Sequence, residues 1–235
     1  MALLIEQRHR LENLANESNR RKAFLEQLIN HRGVYSQRLK KEAISYNIDL
    51  LLKTIVVYVK YPKPYTLKNK AILDYPLFQL ESDNYVILLQ NIDLQSELIA
   101  SIQRDQADAT ITTGRLESAI SDSYYQAKAA MGVMLALKPK ASYTSYEDVE
   151  FLVHLAHLHS VETVNPMSRL EDNSELMDTL RSFIEHNGSV SVTADELNIH
   201  RNTLQYRLKR IHTITGKDPR NVIELFQLVH ALITL

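Results

Sequence analysis

The chain contains no cysteine and no tryptophan, and only 5 glycines and 6 prolines in 235 residues. Without cysteine there is no disulfide scaffold, no thiolate metal site and no cysteine nucleophile. So few glycines and prolines exclude collagen-like and low-complexity classes. No window of 18 or more apolar residues occurs, so no membrane-spanning helix is expected. The first six residues, Met1-Ala2-Leu3-Leu4-Ile5-Glu6, lack the basic region and long apolar run of a signal peptide. A cytoplasmic globular protein is the expectation. Apolar residues make up 45% of the sequence, enough for a sizeable core in one or two domains.

Net charge is also scarce, at −1, which at first argues against a nucleic-acid partner. Its distribution is uneven. Residues 1–47 carry +4, residues 48–173 carry −5, and residues 174–235 carry no net charge. The order of elements predicts an α+β fold. Residues 3–31 read as one long helix with a weak heptad phase, free of glycine and proline. Thr54–Lys60 is rich in β-branched residues and reads as a strand. Leu77–Leu80 and Tyr85–Leu89 flank Glu81-Ser82-Asp83-Asn84 as a hairpin. A helix over 94–105, a strand over 109–113 that Gly114 ends and a long helix over 116–137 follow, then helices around 146–158 and 161–170.

The informative stretch is 174–217. Ser174 is the expected N-cap of a helix whose Leu176, Leu180, Phe183 and Ile184 fall on one face, and Asn187-Gly188 ends it. A second short helix begins after Ser189 as N-cap, and Asn198-Ile199-His200 connects it to a third that starts at Arg201. Two short helices joined by about three residues form a helix-turn-helix. In the third, Leu204, Leu208 and Ile211 face the core, while Asn202, Tyr206 and Lys209 lie on the opposite side. Arg201, Arg207, Lys209, Arg210 and Lys217 give the segment from Ile199 to Lys217 five basic residues and no acid. Arg201, Asn202 and Gln205, near the helix start, suit bidentate bonds to base edges in the major groove. Arg207, Lys209 and Arg210 are expected on phosphates. A final helix is expected from Asp218 as N-cap with Pro219 in its first turn.

Three segments, Asn187-Gly188-Ser189-Val190-Ser191, Ile199 to Ile211 and Thr215-Gly216-Lys217-Asp218, resemble the C-terminal DNA-binding domain of PucR-type transcriptional regulators. The string His200-Arg201-Asn202-Thr203-Leu204-Gln205-Tyr206-Arg207-Leu208-Lys209-Arg210-Ile211 carries most of that likeness. It implies a Fis-type helix-turn-helix with Arg201, Thr203 and Tyr206 at DNA-contacting positions. The candidate DNA-binding set is Ser191, His200, Arg201, Asn202, Thr203, Gln205, Tyr206, Arg207, Lys209 and Arg210. Residues of about 54–158 resemble the degenerate GGDEF-like middle domain of the carbohydrate diacid regulator branch. Residues 1–31 look like the helix that follows a sugar-diacid recognition domain.

The resemblance divides the chain into a linker or signalling helix region (1–47), a GGDEF-like α/β sandwich (48–160) and an all-α helix-turn-helix domain (161–235). It implies an activator of sugar-diacid utilisation genes that binds operator DNA as a homodimer. Its small-molecule effector would be taken up by an N-terminal sensory domain with no counterpart in these residues. Two features depart from the family. The hairpin holds Glu81-Ser82-Asp83-Asn84-Tyr85 in place of the glycine-rich signature, which removes the backbone approach to a nucleotide and any paired metal-binding acids. No sensory domain can be assigned. No enzyme, cofactor or metal site is expected, although His154, His157 and His159 lie close together and Tyr124 and Tyr125 are candidates to line an effector cleft. The alternative reading is a metabolite- or nucleotide-binding module centred on the middle domain.

Overall fold

The computed structural model describes residues 17–31, 33–157 and 165–235. They form an α+β protein of two compact units.

The first unit runs to Met131 and adds Ser142–Asp148. Its centre is a five-stranded sheet of β1 (Ile55–Lys60), β2 (Leu77–Gln79), β3 (Asn84–Leu89), β4 (Thr110–Thr113) and β5 (Tyr143–Ser145), in the order β2-β3-β1-β4-β5. All neighbours are antiparallel except β4 and β5. The β-branched run in β1 has the residue alternation that a sheet covered on both sides needs. Val56 and Tyr58 join Val86 and Leu88 in one core layer, whereas Ile55, Val57 and Val59 join Ile87 and Leu89 in the other.

Helix α1 (17–30), α2 (Gln37–Ser45) and the start of α5 (Ile120–Leu137) cover the first layer. The short α3 (Lys70–Leu73) and α4 (Gln95–Asp105) cover the second. The expected boundary after residue 47 therefore falls inside this unit. The stripe Phe24, Leu25, Leu28 and Ile29 of α1 is buried against the sheet together with Leu39 and Ala43 of α2. The portion of the expected first helix before residue 17 lies outside the described residues. The expected hairpin forms, and its acids are tied down locally: Asp83 pairs with Lys60 at 2.9 Å, and Glu81 accepts from Asn84 at 2.9 Å. The long helix starts at Ile120, not 116, because Glu117 is drawn into a bridge with Thr54. Tyr124 is buried beside Tyr58, and Tyr125 is half exposed.

The second unit comprises Gly132–Ala141 and the described residues from Val149 onward. Helix α6 (Tyr146–Ala156) enters it, a 3-10 turn at Pro166–Arg169 follows, and then come α7 (Ser174–Glu185), α8 (Val190–Glu196), α9 (Arg201–Thr215) and α10 (Val222–Ile233). The helix expected over 161–170 is thus a 3-10 turn where described, and residues 158–164 lie outside the described part. Met167, Leu170, Leu176, Leu180, Phe183, Ala194, Leu204, Leu208, Ile211, Leu228 and Leu232 form one core.

Two N-caps differ from expectation. Asn173, not Ser174, caps α7 by accepting from Leu176 N–H at 3.2 Å. Asn221, not Asp218, caps α10 through Ile223 and Glu224 N–H. Asp218 is already engaged: its carboxylate accepts from the Arg220 backbone N–H and pairs with the Arg220 guanidinium at 2.8 Å.

Candidate nucleic-acid interface

The helix-turn-helix is made by two left-handed turns. Asn187 (φ 53°) and Gly188 (φ 74°) reverse the chain after α7. Gly188 N–H donates to Phe183 O at 2.8 Å, which closes the helix end. Ser189 then caps α8 through Val192 N–H. Asn198 (φ 52°) repeats the device after α8, and Ile199 N–H donates to Ala194 O at 3.0 Å. Asparagine tolerates this conformation better than most non-glycine residues. The side chain of Ala194, in the middle of α8, is buried in the core.

His200 is the N-cap of α9: its Nδ1 accepts from Asn202 N–H at 3.2 Å. From there the sequence dictates two sides. Leu204, Leu208 and Ile211 are fully buried and seat the helix on α7 and α8. The first turn carries no acidic residue, so the positive end of the helix dipole is unopposed. Arg201, Asn202, Thr203, Gln205 and Tyr206 are all exposed there, Tyr206 to 62%. Lys209 and Arg210 are exposed further along, and Ser191 is exposed on α8. The structure thus brings nine of the ten sequence-predicted residues to the surface of α8 and α9 or the cap between them.

Arg207 is the exception. It was expected on a phosphate, yet its side chain is only 17% exposed and its guanidinium is paired with Glu175 of α7. It also donates to the buried Thr179 hydroxyl at 3.3 Å. Thr179 in turn donates to Glu175 O at 2.7 Å, so one side of α7 holds α9 by a polar clamp. Glu175 and Thr179 were missed by the sequence reading. They lie 32 and 28 residues before Arg207, and nothing in the local pattern links them. Val192, 49% exposed on α8, is a further surface residue beside the turn that the reading did not single out.

The turn that follows α9 carries an ion pair. The Arg220 guanidinium bonded to Asp218 holds that carboxyl below its ordinary value of 3.8. A depressed carboxylate contributes stability that is present above its unfolded pKa and lost as pH falls through the folded one. The parent chain is therefore expected to lose thermal stability below about pH 4 more steeply than Asp218→Asn, read from melting midpoints at several acidic pH values. Equal slopes would remove this role for the pair.

His154 and His157, expected near one another, take local partners: His157 Nδ1 contacts Val153 O at 2.7 Å, and His154 Nε2 lies 3.9 Å from Glu150. His159 lies outside the described residues. Among the described residues no group of three metal-ligating side chains is found, and no helix is long and apolar enough to cross a membrane.

This arrangement of three helices with an exposed, acid-free recognition helix defines a helix-turn-helix DNA-binding unit. More particularly, residues 176–234 match the PucR C-terminal helix-turn-helix domain. The chain is 36% identical over 120 residues to the carbohydrate diacid regulator of Escherichia coli K12, a match covering 48% of this chain and 31% of that protein. It is 43% identical over 65 residues to the DNA-binding transcriptional activator AdeR of Bacillus subtilis, covering 26% of this chain and 15% of the activator. An uncharacterized protein of Haemophilus influenzae is 26% identical over 91% of this chain and 64% of its own length. The chain therefore spans less than two thirds of these relatives.

Proposed function

We propose that this chain is a sequence-specific DNA-binding transcriptional regulator, not an enzyme, that reads the major groove with the first two turns of α9. The carrying observation is that Arg201, Asn202, Thr203, Gln205 and Tyr206 stand exposed on an acid-free helix start, within a segment matching a known DNA-binding domain. Arg201, Asn202 and Gln205 have side chains that form bidentate bonds to guanine or adenine edges. Ser191, Thr203, Lys209 and Arg210 are assigned to the backbone phosphates, which fix register without reading sequence. Tyr206 lays an aromatic ring against the groove wall, and His200 sets the helix start.

Two copies acting on paired half-sites supply the affinity that one short helix lacks. The likeness to the carbohydrate diacid regulator supports a place in the control of sugar-diacid use as an activator. The first unit takes the role of the family's GGDEF-like middle domain, and an effector would act through a domain preceding it.

The test is selection of bound duplexes from a random pool by the full chain, followed by titration of the selected site. Arg201→Ala should weaken binding to that site by about 10- to 100-fold and relax the base preference at one position. Unchanged affinity and unchanged preference would overturn the assignment of α9.

A further inference from the structure

DNA reading leaves a cavity of the first unit unused. Its volume is about 320 Å³, at the lower end of the range for small-molecule sites. Leu67, Leu73 and Leu77 give it an apolar wall, the last from β2, the edge strand of the sheet. Ser18, Thr66 and Gln79 add groups able to donate hydrogen bonds.

Arg21 of α1 is the charged member of the wall that the fold leaves unsatisfied. Its guanidinium carbon lies 5.4 Å from the centroid of the Tyr46 ring and 5.7 Å from that of Phe78, so cation–π attraction holds the group in place. Its Nε is buried without a hydrogen-bond partner. Among the described residues no carboxylate or carbonyl oxygen pairs with the guanidinium. Glu17, one turn earlier, also lines the cavity, but it is exposed and forms no ion pair with Arg21. A half-buried cation without an anion is costly. Arg207, the enclosed guanidinium of the second unit, shows the contrast: Glu175 pairs with it. The surroundings of Arg21 carry its own sign. Arg20 and Lys22 flank it, and Tyr61–Leu73, which supplies Thr66, Leu67 and Leu73, holds Lys63, Lys68 and Lys70 and no acid. These five cations are exposed, and their field raises the local concentration of anions.

We propose that this cavity binds a small carboxylate with an apolar chain, of the class of medium-chain monocarboxylic acids. The carboxylate meets the planar fork of Arg21, whose N–H groups match its two oxygens. Ser18, Thr66 and Gln79 complete its hydrogen bonding, and the chain lies on the three leucines. A bare anion would leave the leucines wet, and an uncharged or cationic ligand would leave Arg21 without its partner. The site belongs to the first unit and does not depend on the DNA reading.

Titration calorimetry of the full chain with hexanoate, acetate, 1-hexanol and hexylamine tests this. Hexanoate should bind in the millimolar range or below, at least about tenfold more tightly than each of the other three. Arg21→Gln should weaken hexanoate at least about tenfold and leave 1-hexanol within about twofold of the parent. Arg21 also packs on two rings, so Leu73→Glu supplies a second variant. Leu73 is 47% exposed, so the melting midpoint should hold while the new acid repels the carboxylate and removes most of the binding. Leu51→Glu, at an exposed leucine of the same unit outside the cavity wall, should bind hexanoate like the parent. Absence of hexanoate binding overturns the proposal. So does 1-hexanol or acetate binding as tightly as hexanoate, since the cation or the apolar wall would then contribute nothing. Hexanoate binding that survives either Arg21→Gln or Leu73→Glu overturns it as well.

Discussion

Gly114→Ala is expected to unfold the first unit or lower its melting midpoint by about 10 °C or more, on the scale of a clash costing roughly 3 kcal/mol. Gly114 follows β4, and its N–H donates to Val56 O at 3.0 Å. A Cβ at this position would collide with Ser123 O and stand 2.6 Å from Ser123 Oγ. Neither atom is free to retreat. Ser123 is fully buried on α5, and its hydroxyl donates to Arg115 O at 2.7 Å while accepting from Val56 N–H at 2.8 Å. The contact that a side chain would destroy is thus the one that joins β1, the end of β4 and α5. Ser123→Ala, which leaves Val56 N–H without its acceptor, should cost less, about 1–3 kcal/mol. Calorimetry resolves the two units if their transitions differ, and hydrogen exchange across β1 and β4 reports the first alone. A midpoint for Gly114→Ala within about 2 °C of the parent would mean that the strand and helix separate more easily than the packing implies.

Gly114 shows how unevenly the fold is written in the sequence. That a glycine ends the strand was legible, but the reason is an oxygen on a helix nine residues later. Elements whose pattern is their own were readable. The β-branched run of β1 is one, the hairpin of β2 and β3 another, and the Leu204, Leu208, Ile211 spacing of α9 a third. Strand β5 was not. Tyr143, Thr144 and Ser145 are only three residues, each half-buried, and they become a strand because β4 offers them a parallel edge. Helix α2 escaped for a related reason: it has only nine residues, of which Leu39 and Ala43 alone are buried, so its apolar pattern is too short to stand out. The N-caps failed differently. Asn173 stands beside Ser174, and Asn221 lies three residues after Asp218, so each end offered two competent caps. At the second end a local ion pair made the choice, with Arg220 occupying the Asp218 carboxylate.

Whole-chain charge was the wrong scale for recognising a DNA reader, and even the count along α9 needs one subtraction. Of the five basic residues between Ile199 and Lys217, Arg207 is spent on Glu175. The cations left exposed on α9 are Arg201, Lys209 and Arg210. This difference in surroundings predicts a difference in salt behaviour. The double variant Lys209→Ala/Arg210→Ala is expected to lose two phosphate contacts. The slope of log affinity against log salt should then flatten by about two units. Between about 50 and 200 mM salt that removes roughly a tenfold share of the affinity change. The loss should be alike on selected and unrelated duplexes, since phosphates carry no sequence.

Arg207→Ala should do something else. Its guanidinium is not available to counterions, so the slope should stay within about half a unit of the parent. Its cost should appear as about 1–2 kcal/mol of lost stability in the second unit, reduced from the value for a fully buried pair because Glu175 is 56% exposed. Glu175→Ala should cost a similar amount and free the guanidinium, which would steepen the slope. Affinity for the selected duplex measured across a salt series, beside urea unfolding of each variant, checks all three. A flattened slope for Arg207→Ala with unchanged stability would return that residue to the DNA and leave the clamp on α7 without a role.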